Sequence, residues 1–141
     1  MSTILTTTFG ASVTINGTSY NVVNNESVTL VGEEAVQQVV SVPTSETVIA
    51  NVGAVGPASL TDLSYLVVIN RDSTNFVRLR LSDTGGATTD VKLTPGSAFV
   101  FNTRELSVSA TEGAFASFSN IDNIKAQADT AACDVELLLA Y

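Results

Sequence analysis

The sequence contains no histidine and a single cysteine, Cys133, in 141 residues. Without histidine the chain cannot build a Ser-His-Asp triad, a histidine-ligated zinc site or an imidazole acid–base pair. One cysteine cannot form an intrachain disulfide or a multi-cysteine metal site, and on a strand it usually acts as a small buried apolar residue. We therefore expect function without metal, cofactor or covalent nucleophile.

Positive charge is scarce and is confined to the second half of the chain. The 6 basic residues stand against 14 acidic ones, the net charge is −8, and no lysine or arginine precedes Arg71. Proteins that bind nucleic acid need clustered cations to displace counterions from phosphates, and anionic membrane surfaces repel an acidic protein. The composition thus predicts neither nucleic acid nor membrane as a partner.

Long apolar segments are also missing. No uninterrupted apolar run is longer than the five residues of 65–69, which is far too short to cross a bilayer. The opening MSTILTTTFGASV has neither the basic start nor the apolar core of a signal peptide, so we expect a soluble protein synthesised in a cytoplasm. Hydrophobic residues make up 45% of the chain and charged residues only 14%, which argues against disorder and predicts a folded core.

The hydrophobic pattern that is present has a period of two almost throughout, as in half-buried β-strands. Asn16-Gly17 separates the alternating halves of residues 11–23 and predicts a hairpin with a type I′ turn. Thr94-Pro95-Gly96-Ser97 has proline and glycine at the positions that a type II turn requires. Residues 32–43 are ambiguous, since their valines also fit helical spacing, but valine content and Pro43 favour a strand.

The rest of the chain continues as short strands between turns. The sequence therefore predicts one all-β domain, residues 1–141, with an antiparallel β-sandwich or jelly-roll-like fold of about seven or more strands. The further predicted strands are residues 45–52, 65–70, 75–82, 88–93, 97–102, 104–110, 114–119, 123–128 and 133–141, with a flexible connection at 53–59.

The segment YLVVINRDSTNFVRLRL changes its pattern part-way. Its first strand, residues 65–70, is almost continuously apolar, which is typical of a strand covered on both faces. After a turn, apolar residues alternate with Arg78 and Arg80. One face of this second strand would build the core, and the other would present a stripe of Phe76, Arg78 and Arg80.

Two interpretations of this stripe stay open. Charged side chains can protect a solvated strand against edge pairing, or the stripe can bind an acidic surface of a partner. All basic residues lie between Arg71 and Lys125, whereas residues 1–70 carry acids only, so one copy's stripe could pair with another copy's acidic half. The candidate assembly contacts are Phe76, Arg71, Arg78, Arg80, Glu33 and Glu34, with Glu26 and Glu46 as further complementary charges.

Residues 65–102 contain a set of turn and strand residues in a characteristic order. These residues are Asn70, Asp72, Thr74-Asn75, Phe76-Val77, Gly85-Gly86, Lys92-Leu93 and Pro95-Gly96. The block resembles a pattern in small structural proteins of tailed bacteriophages, particularly marine and cyanobacterial ones. The opening MSTILTTTFGASVTINGTSY and the closing IKAQADTAACDVELLLAY are similar in style to such proteins.

The resemblance implies a β-sandwich building block of a virion and transfers no catalytic or ligand residue. The function we expect is a capsid decoration or cement protein that binds the particle surface and stabilises it. The alternatives are a tail, baseplate or fibre-base component, and a host-surface-binding β module. The expected partners are the major capsid protein or tail proteins. We also expect self-association, with a trimer as one form. The expected location is the virion, after synthesis in the cytoplasm of the host bacterium.

Rival functions have weaker support in the residues. An enzyme would need converging carboxylates, and the spacing of Asp129 and Asp134 does not show that they converge. A sugar-binding domain usually offers exposed Trp or Tyr, but the chain has no Trp and 3 Tyr. A calcium loop around Asp72 and Asn75 lacks the repeated acids of a dedicated site. We therefore expect no enzymatic activity.

Overall fold

The computed structural model describes residues 3–30, 34–52, 60, 63–106 and 118–141. Within these ranges the chain forms eleven β-strands and no helix, so the all-β prediction is confirmed. The strands are β1 (Thr3–Ile15), β2 (Thr18–Leu30), β3 (Ala35–Val42), β4 (Thr47–Asn51), β5 (Tyr65–Asn70), β6 (Val77–Asp83), β7 (Thr88–Leu93), β8 (Ala98–Phe101), β9 (Glu105–Leu106), β10 (Ser119–Ala128) and β11 (Cys133–Ala140).

Nine of these strands form two antiparallel sheets that pack on each other, which is a β-sandwich. The first, which we call the β6 sheet, has the order β4-β10-β6-β7, with the short β9 paired to β10. The second, the β5 sheet, has the order β3-β11-β5-β8. β1 and β2 pair only with each other among the described residues and form a separate two-stranded sheet.

The core lies between the two sandwich sheets and is built from alternate residues of their strands. Burial of each such aliphatic side chain stabilises the fold by about 1.5–3 kcal/mol, because its apolar surface leaves water. Cys133 belongs to this core, and burial raises the pKa of its thiol, as expected for a small apolar core residue. Central members of the core are Leu66, Val68, Val77, Leu79, Leu81, Ile121, Ile124, Val135, Leu137 and Leu139.

The sequence predicted that β5 is covered on both faces, but the structure covers only its inner face. Leu66, Val68 and Asn70 point into the core and are buried, but Val67 and Ile69 on the other face are only half-buried. The reason is that β5 packs against the β6 sheet on one side only. Its outer side is the outer surface of the β5 sheet.

The ambiguous segment is a strand, as favoured by its valines. β3 pairs along its whole length with β11, from Val42 opposite Cys133 to Ala35 opposite Ala140. This pairing extends the sheet, and a helix could not have made it. The predicted strands at residues 104–110 and 114–119 and the connection at 53–59 lie wholly or largely outside the described residues.

Both predicted turns are confirmed by their backbone geometry. Asn16 (φ 50°) and Gly17 (φ 82°) are the two left-handed residues of the hairpin turn between β1 and β2. Gly96 has φ 73°, and the Ser97 N–H donates to the Thr94 carbonyl at 3.0 Å, as in a type II turn. The hairpin itself is longer than predicted, because its strands reach residues 3 and 30 instead of 11 and 23.

Asn70 fixes the turns at one end of the sandwich. Its side chain is fully buried, and its amide nitrogen donates to the carbonyls of Asn75 (2.9 Å) and Leu93 (3.1 Å). Its Oδ1 accepts the N–H of Asp72 at 3.0 Å, and its backbone makes two further hydrogen bonds to the type II turn. Asn70, Asp72, Asn75 and Gly96 therefore have a structural role in these turns.

Candidate assembly surfaces

Cross-strand pairing gathers basic residues on the outer face of the β6 sheet. Arg78 and Arg80 point outward because the residues that alternate with them in β6 are buried in the core. Arg78 lies opposite Lys92 of β7, and Arg80 lies opposite Lys125 of β10. Four of the chain's 6 basic residues thus share one surface, which we call the cationic face: Arg78, Arg80, Lys92 and Lys125.

Two carboxylates of the same chain lie among these cations. Asp90 accepts two hydrogen bonds from Arg80, at 2.7 Å from Nε and 2.8 Å from Nη2. Glu46, just before β4, accepts from Arg78 at 2.7 Å and Arg80 at 3.0 Å, and lies 3.2 Å from the Lys125 ammonium. Since the cationic face contains more bases than acids, it keeps an excess of positive charge on an otherwise acidic molecule.

The ion pairs shift the acid–base equilibria of the groups involved. The hydrogen bond from Lys125, with the charges of the two arginines, lowers the pKa of Glu46 below its ordinary value. The hydrogen bond from Arg80 lowers the pKa of Asp90, and the same bond raises the pKa of Arg80. These side chains are 27–39% exposed, so solvent screens the pairs and their contribution to folding stability is small.

Phe76 and Arg78 line a shallow cleft at one end of the cationic face. The cleft has a volume of about 240 Å³ and is completed by residues 127–129. The Lys92 ammonium lies 4.0 Å from the centroid of the Phe76 ring, a cation–π contact. Nε of Arg78 is buried and has no hydrogen-bond partner within the described ranges. The cleft therefore offers a ring and a guanidinium to an incoming acceptor, with the Asp129 carboxyl also in its lining, and the buried Nε is not accessible unless the side chain moves.

Arg71 is separated from the stripe, on the other sheet. Its guanidinium pairs with Glu136 of β11, which also accepts a hydrogen bond from Gln37 of β3. The Gln37 hydrogen bond and then the Arg71 bond lower the pKa of Glu136. Of the predicted basic contacts, the structure brings together Arg78 and Arg80 and leaves Arg71 elsewhere.

The acids that were expected to complement the stripe from a neighbouring copy are partly used within the chain. Glu46 pairs with the two arginines of the stripe, and Glu26 accepts a hydrogen bond from Asn102 at 2.9 Å. Glu34 is exposed, and its backbone exchanges two hydrogen bonds with the last residue of the chain. Glu33 lies outside the described residues. Pairing of the stripe with another copy stays a prediction.

Sequence reasoning missed three members of this surface. Asp90 and Lys92 could have been found, because the turn at residues 83–86 sets the antiparallel register between β6 and β7. Lys125 gave no such signal, since β10 is distant in sequence and its position beside β6 depends on the strand order.

The second prominent surface is the ribbon of β1 and β2, residues 3–30, which we call the arm. In the ranges that the structure describes, only the base of the arm contacts the sandwich. There the Glu26–Asn102 hydrogen bond and a cleft of about 270 Å³, lined by Thr7 and Phe9 from the arm and Tyr65 and Val100 from the sandwich, join the two parts. From residue 8 to residue 25 every position of the arm is exposed.

Asp72 has a structural explanation that needs no ion. Its Oδ1 accepts the backbone N–H groups of Thr74 at 2.7 Å and Asn75 at 2.6 Å. The Asn75 hydrogen bond, followed by the Thr74 bond, lowers the pKa of Asp72. In the part of the chain that the structure describes, no three His, Cys, Asp or Glu residues cluster as metal ligands. The described residues also include no helix long and apolar enough to span a membrane.

Comparisons with protein-family models, with curated proteins and with solved structures gave no match to this chain. The functional assignment therefore depends on the residues and on the geometry of the two surfaces.

Proposed function

We propose that the protein is a non-enzymatic structural component of a tailed-phage virion, a capsid decoration or cement protein that binds the particle surface and stabilises it. The resemblance of residues 65–102 to small phage structural proteins supports the virion setting. The observation that carries the docking role is the cationic face, where four of the 6 basic residues share one side of a protein with net charge −8.

An excess of positive charge on one face determines the orientation in which an acidic protein binds an acidic surface. Opposite charges steer the encounter and fix the orientation, while the acidic remainder of the molecule is repelled. Arginine suits such a contact, because its planar guanidinium pairs with carboxylates and stacks on rings.

Arg78 and Lys92 are the members of the cationic face best placed to bind a partner. Arg80 is already held by Asp90 through two hydrogen bonds. Arg78 is held more loosely, by one hydrogen bond to Glu46 at 2.7 Å. Lys92 contacts the Phe76 ring but joins none of the ion pairs among the described residues. An acidic group of the particle that enters the cleft beside Phe76 would meet both cations.

The test compares two double variants with the same change in charge. Arg78→Ser with Lys92→Ser removes two cations from the cationic face, and Arg71→Ser with Arg104→Ser removes two from elsewhere. Each purified protein is added to particles that lack it, and bound protein is measured by sedimentation at low and high salt. We expect the first variant to bind more weakly than the second and to lose most of the salt dependence.

The thermal midpoint of each free variant shows whether it remains folded, and we expect small shifts because the substituted groups are partly exposed. Equal losses of binding in the two variants, or no loss in either, would contradict docking through the cationic face.

Location in the particle is tested by the copy number of the protein in purified virions of the phage that encodes it. Quantitative mass spectrometry gives its ratio to the major capsid protein. A ratio that matches the symmetry positions of the capsid supports the decoration role, and a ratio similar to that of tail proteins would assign it to the tail. Absence from purified virions would contradict the proposal.

A further inference from the structure

The arm is a long ribbon that the described residues of the sandwich do not support beyond its base. Two 13-residue strands pair in continuous register, from Thr3 opposite Leu30 to Ile15 opposite Thr18. At the usual rise per residue, each strand is about 44 Å long. A two-stranded hairpin alone in water is marginally stable, because neither face is packed. The arm therefore needs a surface that covers it.

The two faces of the arm differ in composition. Side chains alternate along each strand, so the register determines which residues share a face. The opposite face consists mainly of Thr, Ser and Asn, and its only large exposed apolar residues are Ile4 and Val23. The apolar face carries five large side chains that are 52–63% exposed: Phe9, Val13, Ile15, Tyr20 and Val22.

The arm is also almost free of charge. Residues 3–25 contain no charged side chain, and Glu26 is the arm's one ionisable acid, so nearly all of the net charge of −8 lies outside it. Identical acidic bodies repel each other, and the arm is where two copies can meet without bringing like charges together. Its edges contain no lysine, proline or bulge, which are the usual protections of a strand edge against pairing.

We propose that the apolar face of the arm is covered by the arm of a second copy of this chain, so that the protein self-associates through its arms. Two such faces can stack about 10 Å apart, as sheets do in a sandwich. A two-stranded face of this length covers roughly 400 Å², so two faces bury roughly 800 Å² together, below the range of about 1,200–2,000 Å² for stable interfaces, and a single arm–arm contact is weak.

The first test measures mass by light scattering over a wide range of concentrations. Val13→Thr with Val22→Thr changes the apolar face, and Ile4→Thr with Val23→Thr is the matched control on the opposite face. Threonine keeps the branched shape and the strand preference of the residues it replaces. We expect the unmodified chain to have a multiple of the 14.7 kDa subunit mass.

The apolar-face variant should raise the dissociation constant about tenfold or more, because each hydroxyl would be buried without a partner. The control variant should associate like the unmodified chain. Circular dichroism of both variants verifies that the strands persist.

The second test measures how well the apolar face is covered. Val22→Cys and Val23→Cys place a thiol at adjacent positions on opposite faces, where the side chains are 63% and 67% exposed in the single chain. The native Cys133 is buried, so it should react slowly in both variants. In the associated protein, a disulfide reagent should react much more slowly with the Val22→Cys thiol than with the Val23→Cys thiol, and dilution to the monomer should remove the difference.

Three results would overturn the proposal. They are a chain that is monomeric at every concentration, equal losses of association in the two threonine variants, and equal thiol rates in the associated protein. A monomeric chain whose arm is protected only after particles are added would assign the apolar face to a different protein. Docking through the cationic face is measured separately with particles, so failure of self-association leaves that proposal standing.

Discussion

The arm and the sandwich are made of the same secondary structure and differ in what stabilises them. In the sandwich, β6 buries every second residue, and Val77, Leu79 and Leu81 are 0–1% exposed. In the arm, Val13 and Ile15 alternate in the same way but remain more than half exposed. The alternation predicts which residues share a face, and it does not predict whether a second layer of the same chain will cover that face.

Charge is divided between the two regions as sharply as burial. The ion pairs among the described residues all lie on the sandwich. The arm contains one charged residue, Glu26, which is in none of these pairs. Charged outer faces keep the sandwich apart from other copies except where complementary surfaces meet. The arm, with one charged residue, has almost no such barrier. This difference is the basis of the proposal that copies associate through their arms.

The largest effect should come from opening the core of the sandwich. Leu79→Ala removes a side chain that is 0% exposed, and such changes cost about 2–5 kcal/mol because a cavity remains. Ile15→Ala in the arm, where the side chain is 54% exposed, should change the unfolding free energy of the monomer by less than about 1 kcal/mol. Urea denaturation at low protein concentration measures both, and similar losses would contradict the distinction between the regions.

A smaller effect is expected from the buried polar residue of the sandwich. Asn70→Ala leaves the carbonyls of Asn75 and Leu93 and the N–H of Asp72 without their partner, at a cost of about 1–3 kcal/mol. Asn25→Ala, at an exposed position of the arm, is the matched control and should be nearly neutral. Denaturation curves of the two variants would refute the assigned role of Asn70 if they coincide.

The smallest effect is a dependence of sandwich stability on pH. Asp72 has a pKa below its ordinary value of 3.8, so its contribution to stability is fully present above that value and is lost as pH falls through the lowered pKa. Glu46, Asp90 and Glu136 act with the same sign. The thermal midpoint should therefore fall as the solution is acidified through the carboxyl range.

Asp72→Asn isolates one part of this dependence. Its amide oxygen can still accept the two backbone N–H groups of the turn, but it does not titrate. The variant should show a shallower fall of the thermal midpoint with acid. An unchanged slope would mean that the lowered pKa of Asp72 makes no measurable contribution.

Local features of the fold were predictable because they depend on a few neighbouring residues. The turns at Asn16-Gly17 and at residues 94–97 follow from backbone angles that only certain residues adopt easily, and both are confirmed. The alternation of apolar and charged residues in β6 also identified Arg78 and Arg80 as outward-facing, because neighbouring side chains of a strand point to opposite faces. These predictions required no knowledge of which strands become neighbours.

Features that depend on distant strands were not predictable. Glu46 was expected to meet the arginines of another copy, yet it lies beside Arg78 and Arg80 of its own chain, since β4 and β6 both pair with β10. The full length of the arm was also missed. The missed segments, residues 3–10 and 24–30, have threonine or asparagine on both faces of the ribbon, so they lack the clear apolar–polar alternation that identifies a strand.

Native-state hydrogen exchange at two protein concentrations tests most directly whether the arm depends on a second copy. Amides of residues 3–30 should be well protected when the protein is associated and should exchange much faster after dilution to the monomer, because an uncovered hairpin opens readily. Amides of β6 and β11 should keep the same protection at both concentrations. An arm whose protection does not change with concentration would contradict the account.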